Sequence, residues 1–256
     1  MRPVKETKVV RGVEVRSDPA REACFQVVHL HHDVPDLPST TPEGRLMRAH
    51  REYNQEVQSL EIAALCLVDF PDAPWELRME LARQCWDEAR HAEIAYRDVK
   101  EMGGWKGMYP IANLDWSVVA MLDSLPARLA VQHRTFEAGS LDIENAAIPM
   151  FRDMGMEAAA EMKDAVDADE IQHVRFANEW LRRLTDAQPR AVLEIAAAMA
   201  WLRKVVAATE LDSLKDIPTS DETRQLAGFT NGEIGEVTRL HQALGLPAMP
   251  ADPLDE

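Results

Sequence analysis

Cysteine, glycine and positive charge are scarce in this chain of 256 residues, and each shortage closes off a class of protein. Cys24, Cys66 and Cys85 are odd in number and lack metal-ligand spacing. That removes a disulfide scaffold and a thiolate metal module, and fits a reducing, cytoplasmic setting. Only 11 glycines stand against 12 methionines, and long stretches rich in Ala, Glu, Leu and Arg favour helices over a turn-rich β architecture. Lys and Arg number 28 against 44 Asp and Glu, a net charge of −16. Nucleic acid and anionic membrane are therefore excluded as expected partners, because both need clustered positive charge. No apolar run reaches the ~18 residues of a membrane span; Ile195 to Ala208 is interrupted by Arg203 and Lys204. Met1 to Gly12 is charged and does not read as a signal peptide. A hydrophobic content of 46% remains, enough for a substantial core.

What is present is a repeated motif. Asp87-Glu88-Ala89-Arg90-His91 recurs as Asp169-Glu170-Ile171-Gln172-His173. Residues three apart lie on one helix face, so each copy can aim a carboxylate and an imidazole at the same point. Glu56 lies 32 residues before Glu88, and Glu137 lies 33 before Glu170. Pro71-Asp72-Ala73-Pro74 must break a helix. With the turn centred on Asp72, Glu56 and Glu88 are each 16 residues away and sit at one height in an antiparallel pair. A second turn near Asp153-Met154-Gly155 does the same for Glu137 and Glu170, 16 and 17 residues away. Glu61 fails this test, being rotated by roughly 140° from Glu56. One Glu-x-x-His on a charged helix usually marks a solvated face. Two copies, each preceded by Asp and matched by a Glu at the same height, are hard to obtain by accident. Two Glu-x-x-His helices with one Glu from each of two others form the ligand set of a di-iron or di-manganese bundle. The expected metal ligands are Glu56, Glu88, His91, Glu137, Glu170 and His173, holding two iron ions, with manganese or a mixed pair also compatible.

Around this shell, Asp87 and Asp169 are placed to orient the histidines, and Arg90 to pair with one of these acids. His133, one turn before Glu137, reads as a core histidine, as an extra ligand or as a catalytic proton donor. Glu144, two turns beyond Glu137, reads as a gate or a salt bridge. Tyr53, one turn before Glu56, reads as a packed aromatic or as a redox-active side chain.

In chain order, residues 1–42 read as an extended arm with a short helix near Pro19 to Gln26; His29-Leu30-His31-His32-Asp33 within it reads as a polar loop. Residues 43–186 read as the bundle. Thr41-Pro42-Glu43 opens its first helix, with Leu46, His50, Tyr53, Val57, Leu60, Ala64 and Leu67 as the inward stripe. The second helix spans Trp75 to Met102, and a long connection follows to Leu114. The third spans Asp115 to Phe151, with Pro126 kinking it or splitting off its first turns, and the fourth Glu157 to Leu184. Residues 187–256 supply a helix from Gln188 to Leu214, another from Pro218 to Gly245, and a loose acidic tail from Pro247. These outer helices shape a pocket or an oligomer interface such as that of a homodimer.

The arrangement resembles the ferritin-like di-iron carboxylate superfamily, and within it the bacterial family called domain of unknown function 455. The words that carry the likeness are Thr41-Pro42-Glu43-Gly44-Arg45, then Gln55-Glu56-Val57-Gln58-Ser59-Leu60-Glu61, then Asp87 to His91. His133-Arg134-Thr135-Phe136-Glu137-Ala138 and Asp169-Glu170 through His173-Val174 to Asn178-Glu179-Trp180 complete it. Asn54 departs from the pattern, where the family usually has His. The resemblance implies an all-α, ferritin-like four-helix bundle with a long crossover and a di-metal site; it does not supply a substrate. The expected activity is that of a di-iron oxidoreductase with O₂ as co-substrate and a ferredoxin-type or other electron donor. It would act as an oxygenase, desaturase or N-oxygenase on a small molecule. The alternative is a ferroxidase or iron-handling protein with no organic substrate.

Overall fold

The computed structural model of the chain describes residues 5–29, 33–38, 40–209 and 219–243, and most of these are helical. The protein is all-α, with two very small sheets among the described residues. Its described residues divide between two compact units, Met1–Gln132 with Leu184–Leu211, and His133–Arg183 with Asp212–Glu256. Among them, no helix is long and apolar enough to cross a membrane.

The first unit is built on a hairpin of α1 (Pro42–Asp69) and α2 (Trp75–Glu101). The Thr41 hydroxyl accepts from the Gly44 N–H at 3.0 Å, and Pro42 occupies the first turn, so α1 begins where its cap residues dictate. On α2 the buried line of Leu77, Leu81, Gln84, Glu88, His91 and Ala95 repeats every three to four residues. On α1 the deepest face differs from the expected stripe. Met47, His50, Asn54, Gln58, Ile62 and Cys66 are buried, whereas Tyr53, Val57, Leu60, Ala64 and Leu67 are only half-buried. The cause lies in the connection after α2, which packs on that face. Asn54 Nδ2 donates to the Ala112 carbonyl at 3.2 Å, and Gln58 Oε1 accepts from the Trp116 N–H at 3.2 Å. Two polar side chains are thus buried because they satisfy backbone groups that would otherwise be orphaned. The same connection passes Gly107, whose φ is +78°; a Cβ there would lie 2.1 Å from the Cys24 carbonyl oxygen. The Gly107 N–H donates to His50 Nε2 at 3.0 Å, and burial lowers the His50 pKa, so this imidazole accepts as a neutral ring.

Residues expected as a plain arm contain an antiparallel hairpin, β1 (Thr7–Val10) and β2 (Val13–Arg16). Arg11 and Gly12 have φ of 46° and 82°, the geometry of a two-residue turn matched to strand twist. No helix forms near Pro19 to Gln26. Arg21 there is pinned instead, donating to both Glu61 oxygens at 2.7 and 2.9 Å. Further on, β3 (Val27–Val28) pairs in parallel with β4 (Ile111–Ala112), tying this segment to the connection.

The expected third helix is in pieces: α3 (Leu114–Val119), α4 (Leu125–Val131), a π-helical segment (Gln132–Glu137) and α5 (Ala138–Asp153). Pro126 splits off the first turns, and it lies in the first turn of α4 behind the cap Ser124. Arg128, almost wholly buried, anchors α4 by donating to Asp69 at the end of α1 at 2.5 Å. After Pro189, α6 (Glu157–Ala187) gives way to α7 (Ala191–Thr209), whose Glu194 accepts from the Ser124 hydroxyl at 2.5 Å.

In the second unit, α5 and α6 are joined through Gly155, whose φ of 71° makes the turn. Ala138, Leu141 and Val174 pack with Ala227, Phe229 and Ile234, while Ile148, Phe151 and Ala160 close the end beside the turn. The last expected helix is two, α8 (Asp221–Leu226) and α9 (Asn231–Ala243), broken at Gly228, where φ is 83°. A buried ion pair, Arg224 Nη2 to Asp142 Oδ2 at 2.7 Å, fastens α8 to α5. The end of the helix predicted to reach Leu214, the start at Pro218, the tail from Pro247 and the Leu30-His31-His32 part of the histidine stretch lie outside the described residues.

Candidate metal centre

The first unit gathers Glu56, Glu88 and His91, whose ligand atoms lie within 4.8 Å of one another. Glu88 and His91 share a face of α2, and the hairpin brings Glu56 of α1 level with them. His91 Nδ1 is 3.3 Å from Glu88 Oε2 and 3.7 Å from Glu56 Oε2. Glu88 is wholly buried and His91 is 1% exposed. Glu61, rejected on spacing, is the residue held by Arg21. Gln84 was not singled out from the sequence. It is buried one turn before Glu88 and donates from Nε2 to Glu88 Oε1 at 3.0 Å, fixing one carboxylate oxygen. The signal was available, an amide four residues from a ligand on the same face. Asp87 is buried and accepts from Arg90 Nη2 at 3.3 Å, with Arg83 Nε at 3.5 Å, so the expected pairing of Arg90 with an adjacent acid is present.

The second unit gathers Glu137, Glu170 and His173, again within 4.8 Å and all buried. His173 Nδ1 is 3.6 Å from Glu170 Oε2. Glu137 closes the π-helical segment. A π-turn inserts an extra residue into a helix and rotates everything beyond it, which is why such turns concentrate at functional sites. No residue pattern announced it. His133 lies in the same segment, buried, with Nε2 3.8 Å from Glu137 Oε2. Its ring meets the edge of Phe176 at 5.2 Å between centroids, and Phe176 also contacts the ring of His173 at 6.3 Å.

Glu144 accepts from Lys163 Nζ at 3.2 Å, in keeping with the salt-bridge reading. Asp167, one turn before Glu170 on α6, was missed. Burial, followed by the nearby negative charges of Glu144 and Glu170, pushes its carboxyl up to about 7. Asp169 is half-buried on the same helix. Tyr53 packs against Tyr96 at 5.4 Å and Phe25 at 6.2 Å, with the Lys106 ammonium 5.3 Å from its ring centre, a packed aromatic setting.

Burying carboxylates around an imidazole is unfavourable unless a cation or hydrogen bonds compensate. Each triad offers two carboxylates and one imidazole, a charge of about −2 that one divalent ion balances. Oxygen donors with a single nitrogen and no thiolate suit iron or manganese. The residues present therefore fit a metal ion at each triad.

Searches of curated proteins and of solved structures find no match. The sequence profile of a family described as protein of unknown function, DUF455, matches residues 3–235. Spanning nearly the whole chain and both triads, that match makes this protein a member of the DUF455 family.

Proposed function

We propose that each triad holds one metal ion and that the protein is a cytoplasmic non-haem di-iron oxidoreductase, using O₂ to oxidise a small organic substrate. The observation that carries this reading is the duplication of a Glu, Glu, His set, once on the α1–α2 hairpin, where Glu56 is half-buried and Glu88 and His91 are buried, and once, wholly buried, at the start of α5 and on α6. A pair of reduced irons held by these sets would supply two electrons to O₂, which as the oxidant would then attack a C–H or N–H bond. The chain's own residues do the rest. Gln84 holds one oxygen of Glu88, leaving the other to face His91. Asp167, with its carboxyl near 7, holds or yields a proton one turn from Glu170 at neutral pH. Apolar Ala92 and Ala177, buried within a turn of the histidines, keep water from the ligands. Electrons come from a ferredoxin-type or other donor. Hydroxylation, desaturation and N-oxygenation are the reaction types such a centre serves.

One observation favours a second reading, a ferroxidase or iron-handling protein. Acidic Glu144, Asp164 and Asp167 continue from Glu170 along α5 and α6 and outnumber the Lys163 and Arg152 paired with them, an excess of negative charge that would draw a cation. A single titration separates the two. Elemental analysis should find about two iron or manganese ions per chain, and Glu88→Ala with Glu170→Ala should abolish them. Full occupancy in that double variant would falsify the ligand assignment. Aerobic addition of Fe²⁺ should saturate near two ions per chain; retention of tens of ions would decide for the iron-handling protein.

A further inference from the structure

The α2 helix buries one face in its own unit and leaves the opposite face bare. Trp75, Met79, Ala82 and Trp86 follow one another at intervals of four, three and four residues, and so form one stripe. All four are exposed, the tryptophans at 68% and 71% and Met79 at 50%. Taking about 250 Å² for a whole tryptophan, the two indoles alone leave roughly 350 Å² in water. A patch of that size falls within the roughly 300–600 Å² of the largest apolar patch on a typical monomer, a patch that is often functional. Tryptophan is also the residue most enriched at the energetic centres of interfaces.

We propose that this face pairs with the same face of a second copy, α2 antiparallel to α2, about a twofold axis between Met79 and Ala82. Self-complementarity is the argument. A twofold contact requires that residue i meet j and j meet i. About that axis, Trp75 meets the partner's Trp86, and Met79 meets the partner's Ala82. Large side chains thus pair at both ends, and a small one admits a longer one in the middle. The charges repeat the pattern. Asp72, in the turn before α2, and Glu76 lie toward one end of the stripe, and Arg83 and Arg90, which also pair with Asp87, lie toward the other. Reversing the second copy sets each acidic end against a basic end, and the two helix dipoles also oppose. Area agrees as well. A specific interface buries about 800 Å² per partner, of which the indoles supply nearly half. A lipid surface is the poorer occupant, since acidic residues flank the stripe and the whole chain carries −16.

The test is sedimentation equilibrium of the full, metal-loaded chain. The expected result is a dimer with a Kd of micromolar or below. Trp86→Glu should weaken it by ~100-fold or more, the loss typical of a tryptophan hot spot. Met79→Glu is a second disruption at an exposed site, and circular dichroism checks that neither variant has unfolded. Arg90→Asp should weaken the dimer several-fold, and adding Asp72→Arg should recover most of that loss. Three results would overturn the proposal. These are a wild-type chain monomeric at 100 times the expected Kd, a dimer indifferent to both Trp86→Glu and Met79→Glu, and binding to phosphatidylcholine vesicles in place of self-association.

Discussion

Asp167 shows how far one side chain can be read and how its charge can be tested. Its carboxyl is raised from the ordinary 3.8 to about 7, first by burial and then by Glu144 and Glu170. The folded chain therefore holds this proton more tightly than the unfolded chain does. Between pH 4 and 7 folding takes up a proton, so stability falls as pH rises through that window and levels off above it. In chelator-treated protein, the urea midpoint of the wild type should decline from pH 4 to 7 more steeply than that of Asp167→Asn. Equal slopes would show that the carboxyl titrates normally. Among residues, the six ligand candidates were legible because a helix converts spacing into direction, and two hairpin turns convert it into height. Asp167 was not, since its importance comes from burial and from the charges beside it, whereas Gln84 was readable as an amide one turn from a ligand. Asn54 and Gln58 were hidden for a stronger reason. Their burial is decided by carbonyl and amide groups some 58 residues further along the chain.

At the scale of elements, caps and breakers carried most of the information. Thr41 with Pro42, the Pro71–Pro74 turn and Gly155 all act where their local chemistry says they should. The N-terminal hairpin was lost because five prolines in the first 42 residues outweighed a short alternation around Arg11-Gly12. A turn with two positive φ values can be read from its Gly, but hardly from an Arg. The π-helical segment has no sequence signature, and its effect is geometric. Deleting Thr135 should let this stretch relax to an α-helix and swing Glu137 away from His173. Helix content should stay unchanged, while affinity for the ion at the second triad falls ~10-fold or more. If metal stoichiometry and affinity survive the deletion, the π geometry is incidental to Glu137.

For the whole molecule, composition settled the class before any motif was read. The shortage of glycine and the length of the periodic stretches point to helices, and the structure is helical throughout its larger elements. Division into units is less visible in sequence. One unit takes its helices from both ends of the other's span, Met1–Gln132 and Leu184–Leu211 around His133–Arg183, and no linker-like composition marks either passage. Membership of the DUF455 family agrees with the resemblance carried by the words around Glu56, Glu88, Glu137 and Glu170.

The buried amides of α1 also say something about time. The α1–α2 hairpin closes over a five-residue turn, so its pairing is largely local and cheap in loop entropy. The bonds from Asn54 and Gln58 to Ala112 and Trp116 join parts of the chain far apart, and they can form only after that hairpin exists to receive them. Docking of the connection is then a late event on the way to the native state. In stopped-flow experiments, Gln58→Ala should leave the folding rate nearly unchanged and accelerate unfolding, the pattern of a contact made after the rate-limiting barrier. A variant that folds slowly and unfolds at the wild-type rate would place the connection inside the nucleus instead.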